Sequence, residues 1–153
     1  MTTSERQKVR VAVYVIFRNS EGKILLIRRH NTGWKDGQYT LPAGHIDSGE
    51  TALDACVHES LEEVCLKVSP EDLELKNVTQ YQPDDISSEN YINFFFECSR
   101  YEGEAKIGEP EKCDDLIWVL PSEAVDIPII DSVKFSLEQA LNGDVFSHWG
   151  FKN

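Results

Sequence analysis

Residues 44–66 read GHIDSGETALDACVHESLEEVCL, and this stretch decides the fold. Residues 44–49 are polar and Gly-punctuated, which predicts a loop. Thr51, followed three residues later by Asp54, forms a capping box with Thr51 as N-cap, so a helix should run from Thr51 to about Cys65. On a wheel of about 100° per residue, Leu53, Val57, Leu61 and Val64 share one arc, predicted to face the core. Glu59, Glu62 and Glu63 fall on the opposite side, because residues three and four apart stack on a helix. Ala52 and Ala55 share that side and leave it sterically open. Within the helix no Lys or Arg stands three or four residues from Glu59 or Glu63, so their repulsion is uncompensated. The helix also follows a Leu41-Pro42-Ala43-Gly44 turn that delivers backbone oxygens beside it. Clustered carboxylates with a backbone carbonyl are what a hard, oxygen-seeking Mg²⁺ or Mn²⁺ prefers.

Working outward, residues 8–17 are β-branched and aromatic with both faces apolar, which predicts a strand covered on both sides. The turn signal Asn19-Ser20-Glu21-Gly22 leads to a returning hairpin strand at 23–29. Residues 31–38 form a polar loop, and residues 40–42 are short and extended before Pro42. Residues 73–82 and 90–99 read as strands separated by a polar segment at 83–89. Residues 100–115 are long, charged and Gly/Pro-punctuated, and 116–120 form a short strand. A second helix at about 132–141 follows Pro128 and closes at Asn142-Gly143. Strands with few, non-alternating helices predict an α/β (α+β) domain with a mixed sheet flanked by helices, one domain over residues 1–153.

The 153 residues carry 15 Lys and Arg against 27 Asp and Glu, a net charge of −12. Such a chain has no general attraction for nucleic-acid polymers or anionic membranes, and it needs a local cation to hold phosphates. Cys56, Cys65, Cys98 and Cys113 lack zinc-ligand spacing, and a chain able to build its own core has no need of a disulfide framework. Four reduced thiols and the absence of an apolar leader in residues 1–10 predict a cytoplasmic protein.

The opening stretch resembles the Nudix box, G-x5-E-x7-R-E-U-x-E-E-x-G-U with U a bulky aliphatic residue. Gly44, Glu50, Glu59, Glu62, Glu63 and Leu66 stand at matching positions. The preceding hairpin and Trp118 in a late strand extend the likeness over most of the chain. The resemblance implies the Nudix fold, an α/β/α sandwich around a mixed sheet, and metal-dependent hydrolysis of a nucleoside diphosphate linked to another group. It implies Glu59, Glu62 and Glu63 as Mg²⁺ (or Mn²⁺) ligands, joined by the Ala43 carbonyl and by a carboxylate from a distant loop. Glu109 is the first choice for that loop carboxylate and Glu111 the second. The resemblance implies a catalytic base among these carboxylates, either a box glutamate or the loop residue.

Three box positions depart. His58 stands where the family has an Arg that orients the carboxylates and pairs with the glutamate at Glu50. Ser60 replaces an aliphatic residue, and Cys65 replaces a glycine. For substrate, Trp34 can stack on a base, Asp114 and Asp115 can accept from a purine edge, and Arg28, Arg29 and Lys112 can meet phosphate. Tyr14 and Phe94 alternate into the sheet faces as core residues, while His30, His45 and His148 form no metal-spaced set. The compact length favours a nucleoside triphosphate, perhaps of an oxidised purine, cleaved to monophosphate and pyrophosphate. Pro83 favours an ADP-ribose-type nucleotide sugar as the second reading, and the box departures leave a non-catalytic sensing module as the third. The expected partner is a small nucleotide, and the expected state is a monomer or homodimer.

Overall fold

The computed structural model describes residues 5–85 and 89–151; the ends of the 1–153 span and the middle of the 83–89 segment lie outside them. The chain runs β1 (Val9–Phe17), β2 (Ile24–Arg29), β3 (Tyr39–Thr40), β4 (Ala43–His45), α1 (Ala52–Val64), β5 (Glu74–Tyr81), β6 (Asn90–Cys98), β7 (Cys113–Val119), α2 (Asp131–Leu141) and β8 (Phe146–Trp149). Five strands form a mixed sheet in the order β4-β1-β6-β5-β8, and three form a second sheet, β3-β2-β7. In the five-stranded sheet the β1–β6 and β5–β8 pairs are parallel and the β1–β4 and β5–β6 pairs antiparallel.

The two apolar faces of β1 explain the layers. Val13, Val15 and Phe17 point to one core with Ala55, Cys56 and Val64 of α1, and Ile16 points to the other with Val133 and Leu137 of α2. β2 divides the same way, with Leu25 and Ile27 on the α1 side and Ile24 and Leu26 on the α2 side. This is the expected α/β/α arrangement around a mixed sheet. The hairpin needs correction. The turn after β1 forms, with the Asn19 amide donating to the Lys23 carbonyl at 3.0 Å. The strands then part: β1 pairs β4 and β6, while β2 pairs β3 and β7. Their divergence opens the space used below.

Other boundaries shift. Part of the 44–49 loop is strand β4, which pairs with β1. The strand expected at 116–120 begins at Cys113 because it continues alongside Arg29. β8 was not expected. A buried polar network holds it: Asn77 donates to the Asp144 carbonyl at 2.8 Å and to Ser147 Oγ at 3.2 Å, and the Thr79 hydroxyl lies 2.8 Å from Ser136 Oγ on α2.

The capping box is formed, with Thr51 Oγ1 accepting from the Asp54 amide at 3.1 Å and Asp54 accepting from the Thr51 amide at 3.1 Å. The helix is rotated from the predicted face. Leu61 is 57% exposed, whereas Ala55, Cys56 and Ser60 are buried. Small residues let α1 settle closely on the sheet, which turns Glu59 and Glu63 partly inward rather than away from the core. Ser60 is wholly buried, and its hydroxyl has no hydrogen-bond partner among the described residues.

Cys65 ends α1 in the left-handed region, at φ 60°. A side chain there costs about 1 kcal/mol relative to glycine. Cys65→Gly should therefore raise the thermal midpoint by roughly 3 °C for a domain of this size; an unchanged or lower midpoint in calorimetry would show that the strain is relieved elsewhere. All four cysteines are free, and burial pushes the Cys56 thiol up to about 12. Among the described residues no helix is long and apolar enough to cross a membrane.

Candidate active site

The parting of the two sheets leaves a cleft of about 1280 Å³. One end of it is built by α1 and β4. Glu59, Glu62 and Glu63 all line it, with Ala43 and Gly44 beneath them. Gly44 is required by contact: a methyl group built on it would overlap the Glu59 side chain at Cγ, Cδ and Oε1. The Ala43 amide donates to Glu63 Oε1 at 3.4 Å.

Glu59 and Glu63 are neighbours on the cleft, and each acts on the other's carboxyl. Burial, then the neighbouring Glu59 charge, pushes the Glu63 carboxyl well above the usual carboxylate range. Burial also raises Glu59, opposed by the bond from Glu63 and aided by the charges of Glu62 and Glu109. Two carboxyls side by side in a buried place resist ionising together, which is the direction both groups show.

The charged loop is tied to the end of the same helix. The Lys106 amide donates to the Val64 carbonyl at 3.0 Å, and the Gly108 amide to the Glu63 carbonyl at 2.9 Å. These bonds satisfy carbonyls that the helix end leaves open. Gly108 is needed there, since a Cβ would overlap the Glu62 carbonyl oxygen. The docking delivers Glu109 to the cleft, where Lys112 Nζ lies 3.6 Å from its carboxylate. Glu111, the second choice, does not line the cleft.

His58 takes up the pairing expected of the family Arg: its Nδ1 lies 2.6 Å from Glu50 Oε2. Glu50 also accepts from the Asp47 amide at 3.1 Å, so it ties the 44–50 loop to α1. The Asp47 amide first, and His58 second, hold the Glu50 carboxyl below its ordinary range, while Glu50 raises His58. His58→Ala should lower kcat by roughly 10- to 100-fold, the usual effect of losing a group that orients metal ligands, with little change in KM. His58→Arg should keep or increase kcat. The His58–Glu50 pairing contributes fully below the ordinary histidine range and fades as pH rises through the raised value, so the Arg variant should stay active at higher pH than the wild type. Equal rates for all three proteins would remove His58 from the mechanism.

The remaining predicted residues separate into two groups. Arg28, Arg29 and Trp34 line the cleft. Arg29 supports Trp34: it donates to the Trp34 carbonyl at 2.7 Å and its guanidinium lies 5.0 Å from the ring centroid. Arg28 is engaged by Asp114 at 2.7 Å. Asp114 and Asp115 do not line the cleft, which corrects their placement as base-edge acceptors. Asp114 is held below its ordinary range by Arg28, and Asp115 accepts the Tyr39 hydroxyl proton. Tyr14 lines the cleft while stacking on Phe95 at 4.6 Å, and Phe94 packs against the α1-side core. Sequence reading missed Tyr81, Tyr91 and Asn93, which also line the cleft. Their alternation in β5 and β6 was visible, but the strand pairing that gathers them was not.

The sequence profile of the NUDIX domain matches residues 8–139. The chain belongs to the NUDIX domain family. Membership makes it a Nudix-type pyrophosphohydrolase of nucleoside diphosphate derivatives. Solved structures share the fold. A MutT NUDIX hydrolase from Burkholderia pseudomallei matches with a TM-score of 0.74 and 24% identity over 87% of this chain and 98% of that one. A MutT protein from Methanosarcina mazei Go1 matches at 0.73 and 17% over 91% and 97%. The NUDIX domain of Shewanella oneidensis NrtR, complexed with ADP ribose, matches at 0.71 and 18% over 90% and 89%.

Among the described residues no three His, Cys, Asp or Glu side chains stand gathered as a finished metal cage. The donor set nevertheless fits a divalent ion. It is all oxygen, and burial and mutual repulsion raise its two central carboxyls, Glu63 and Glu59, a penalty that a hard cation relieves.

Proposed function

We propose that this NUDIX protein hydrolyses a nucleoside triphosphate to the monophosphate and pyrophosphate, with Mg²⁺ or Mn²⁺. The observation that carries the reading is the gathering of Glu59, Glu62, Glu63 and Glu109 on one cleft, with the Ala43 amide on Glu63 and Gly44 against Glu59. Glu59 and Glu63 would hold the metal, with Glu62, Glu109 and the Ala43 carbonyl completing the oxygen set. The bound ion supplies charge neutralisation at the phosphate oxygens. Gly44 keeps room for Glu59, and the His58–Glu50 pair fixes the loop against the helix. Arg29 and Lys112 offer cations to the phosphate chain at the cleft wall, and Trp34 offers a ring face. A carboxylate of this set takes the proton of the attacking water. The four free cysteines favour a reducing compartment, the cytoplasm.

Hydrolysis in ¹⁸O-labelled water locates the attack. Label in the nucleoside monophosphate or in pyrophosphate is expected; nucleoside diphosphate with labelled orthophosphate would overturn the reading. A second reading, an ADP-ribose-type nucleotide sugar, is favoured by the cleft volume of about 1280 Å³ and by the ADP ribose bound to the Shewanella domain. Release of AMP from ADP ribose faster than from ATP in the same assay would select it.

A further inference from the structure

The loop between β2 and β3 has no buried side chain in residues 31–37, so packing does not fix its shape. That shape is nevertheless an unfavoured one. Asn31 (φ 54°) and Lys35 (φ 52°) sit in the left-handed region that residues other than glycine disfavour. Such backbone persists where surrounding contacts over-determine it. The contacts here converge on Asp36. Its Oδ1 accepts from the Thr32 amide at 3.0 Å and from the Thr32 hydroxyl at 2.6 Å, and its Oδ2 accepts from the Gly33 amide at 2.9 Å. The Thr32 hydroxyl first, and the Thr32 amide second, hold the Asp36 carboxyl below its ordinary range, so it stays an acceptor at neutral pH.

Thr32 passes this order on to Arg29. Its one hydroxyl proton goes to the Asp36 carboxylate, which leaves the oxygen to accept from Arg29 Nη2 at 2.8 Å. Arg29 Nε donates to the Trp34 carbonyl at 2.7 Å, and the guanidinium lies over the Trp34 ring. A flexible cation of the cleft wall is thereby held by the loop at two nitrogens, while Nη1 has no partner among the described residues. Asp36 itself does not line the cleft.

We propose that Asp36 is a positioning residue: by clamping Thr32 and Gly33 it holds the Arg29 guanidinium ready for the phosphate chain. Substrate binding then does not have to order that side chain, which is the advantage of a contact set in advance. The inference rests on the nucleotide reading above and adds to it a residue that acts on the substrate only through Arg29.

The test measures ATP hydrolysis with Mg²⁺ and thermal midpoints for the wild type, Asp36→Ala, Asp36→Asn, Arg29→Ala and the Asp36→Ala/Arg29→Ala double variant. It also follows the ¹H–¹⁵N signal of the Arg29 Nε–H group. Asp36→Ala should raise KM about fivefold with kcat changed by less than about twofold, the order expected for ordering one long side chain on binding. Asp36→Asn, which keeps one acceptor oxygen for Thr32, should recover part of the loss. The double variant should show the KM of Arg29→Ala alone, because Asp36 acts through Arg29. The Nε–H signal should exchange slowly in the wild type and broaden or vanish in Asp36→Ala. An unchanged KM in Asp36→Ala, with or without a lowered midpoint, would overturn the proposal. So would losses that multiply in the double variant, an Arg29→Ala KM equal to that of the wild type, or an Nε–H signal as protected in Asp36→Ala as in the wild type. No turnover of ATP by the wild type would overturn the triphosphate reading itself, and the Nε–H signal would then decide alone whether Asp36 holds Arg29.

Discussion

Glu63→Gln is expected to lower kcat/KM by about 10³-fold, the effect of removing one main oxygen ligand or charge stabiliser from a phosphoryl-transfer site. The fold should survive, because glutamine keeps the shape and can still accept from the Ala43 amide. A second measurement ties the loss to the raised Glu63 carboxyl. Glu63 has a folded pKa raised well above its ordinary value of 4.5. The folded protein therefore binds more protons than the unfolded chain, and the associated stability is present in full at acid pH. It is lost as pH rises from the ordinary carboxylate range through the raised value. The metal-free wild type should show a falling thermal midpoint over that interval, and Glu63→Gln should flatten the fall. Millimolar Mg²⁺ or Mn²⁺ should lift the wild-type midpoint at neutral pH and lift the variant much less. Wild-type rates in the variant, or the same metal-induced rise in both proteins, would exclude Glu63 as a ligand.

Gly44→Ala is expected to lower kcat by about 10²-fold, the order of loss that follows when a reacting group is displaced by about 1 Å. The added methyl overlaps Glu59 at three atoms, and Glu59 is a flexible side chain with the cleft beside it. It can swing aside, so the thermal midpoint should change little while Glu59 leaves its place over Gly44. A crystal structure of the variant with Glu59 in its wild-type position and full activity would refute this account. A large fall in midpoint with activity per folded molecule retained would show instead that Gly44 serves packing.

The carboxylate positions were legible because helical spacing and capping act locally. Thr51, Asp54, Glu59 and Glu63 needed only their own helix to be placed. The helix rotation was not legible from the large apolar residues. Leu61 fits the periodic arc but is displaced outward, because Ala55, Cys56 and Ser60 allow a closer approach than leucine would. The Cys65 geometry was readable from the position of the box glycine. The gathering of Asn93, Tyr14 and Tyr81 on the cleft was not readable, since they lie on three strands whose order depends on long-range pairing. Asp114 and Asp115 misled for the same reason: β7 lies beside β2, where Arg28 and the Tyr39 hydroxyl reach them first.

The bonds from Lys106 and Gly108 to the end of α1 have a bearing on how this chain tolerates changes of length. Residues 103–105 lie between two fastenings, the Glu102–Lys67 backbone pair and the Lys106–Val64 bond. Extra residues inserted there would bow out into solvent while both fastenings hold, leaving Glu109 where it is. A single residue inserted between Gly108 and Glu109 has no such relief. It would push the carboxylate past its station, although the alteration falls in the same surface loop and removes no side chain. Lineages or engineered libraries that vary this loop should therefore accept indels on one side of Gly108 and reject them on the other.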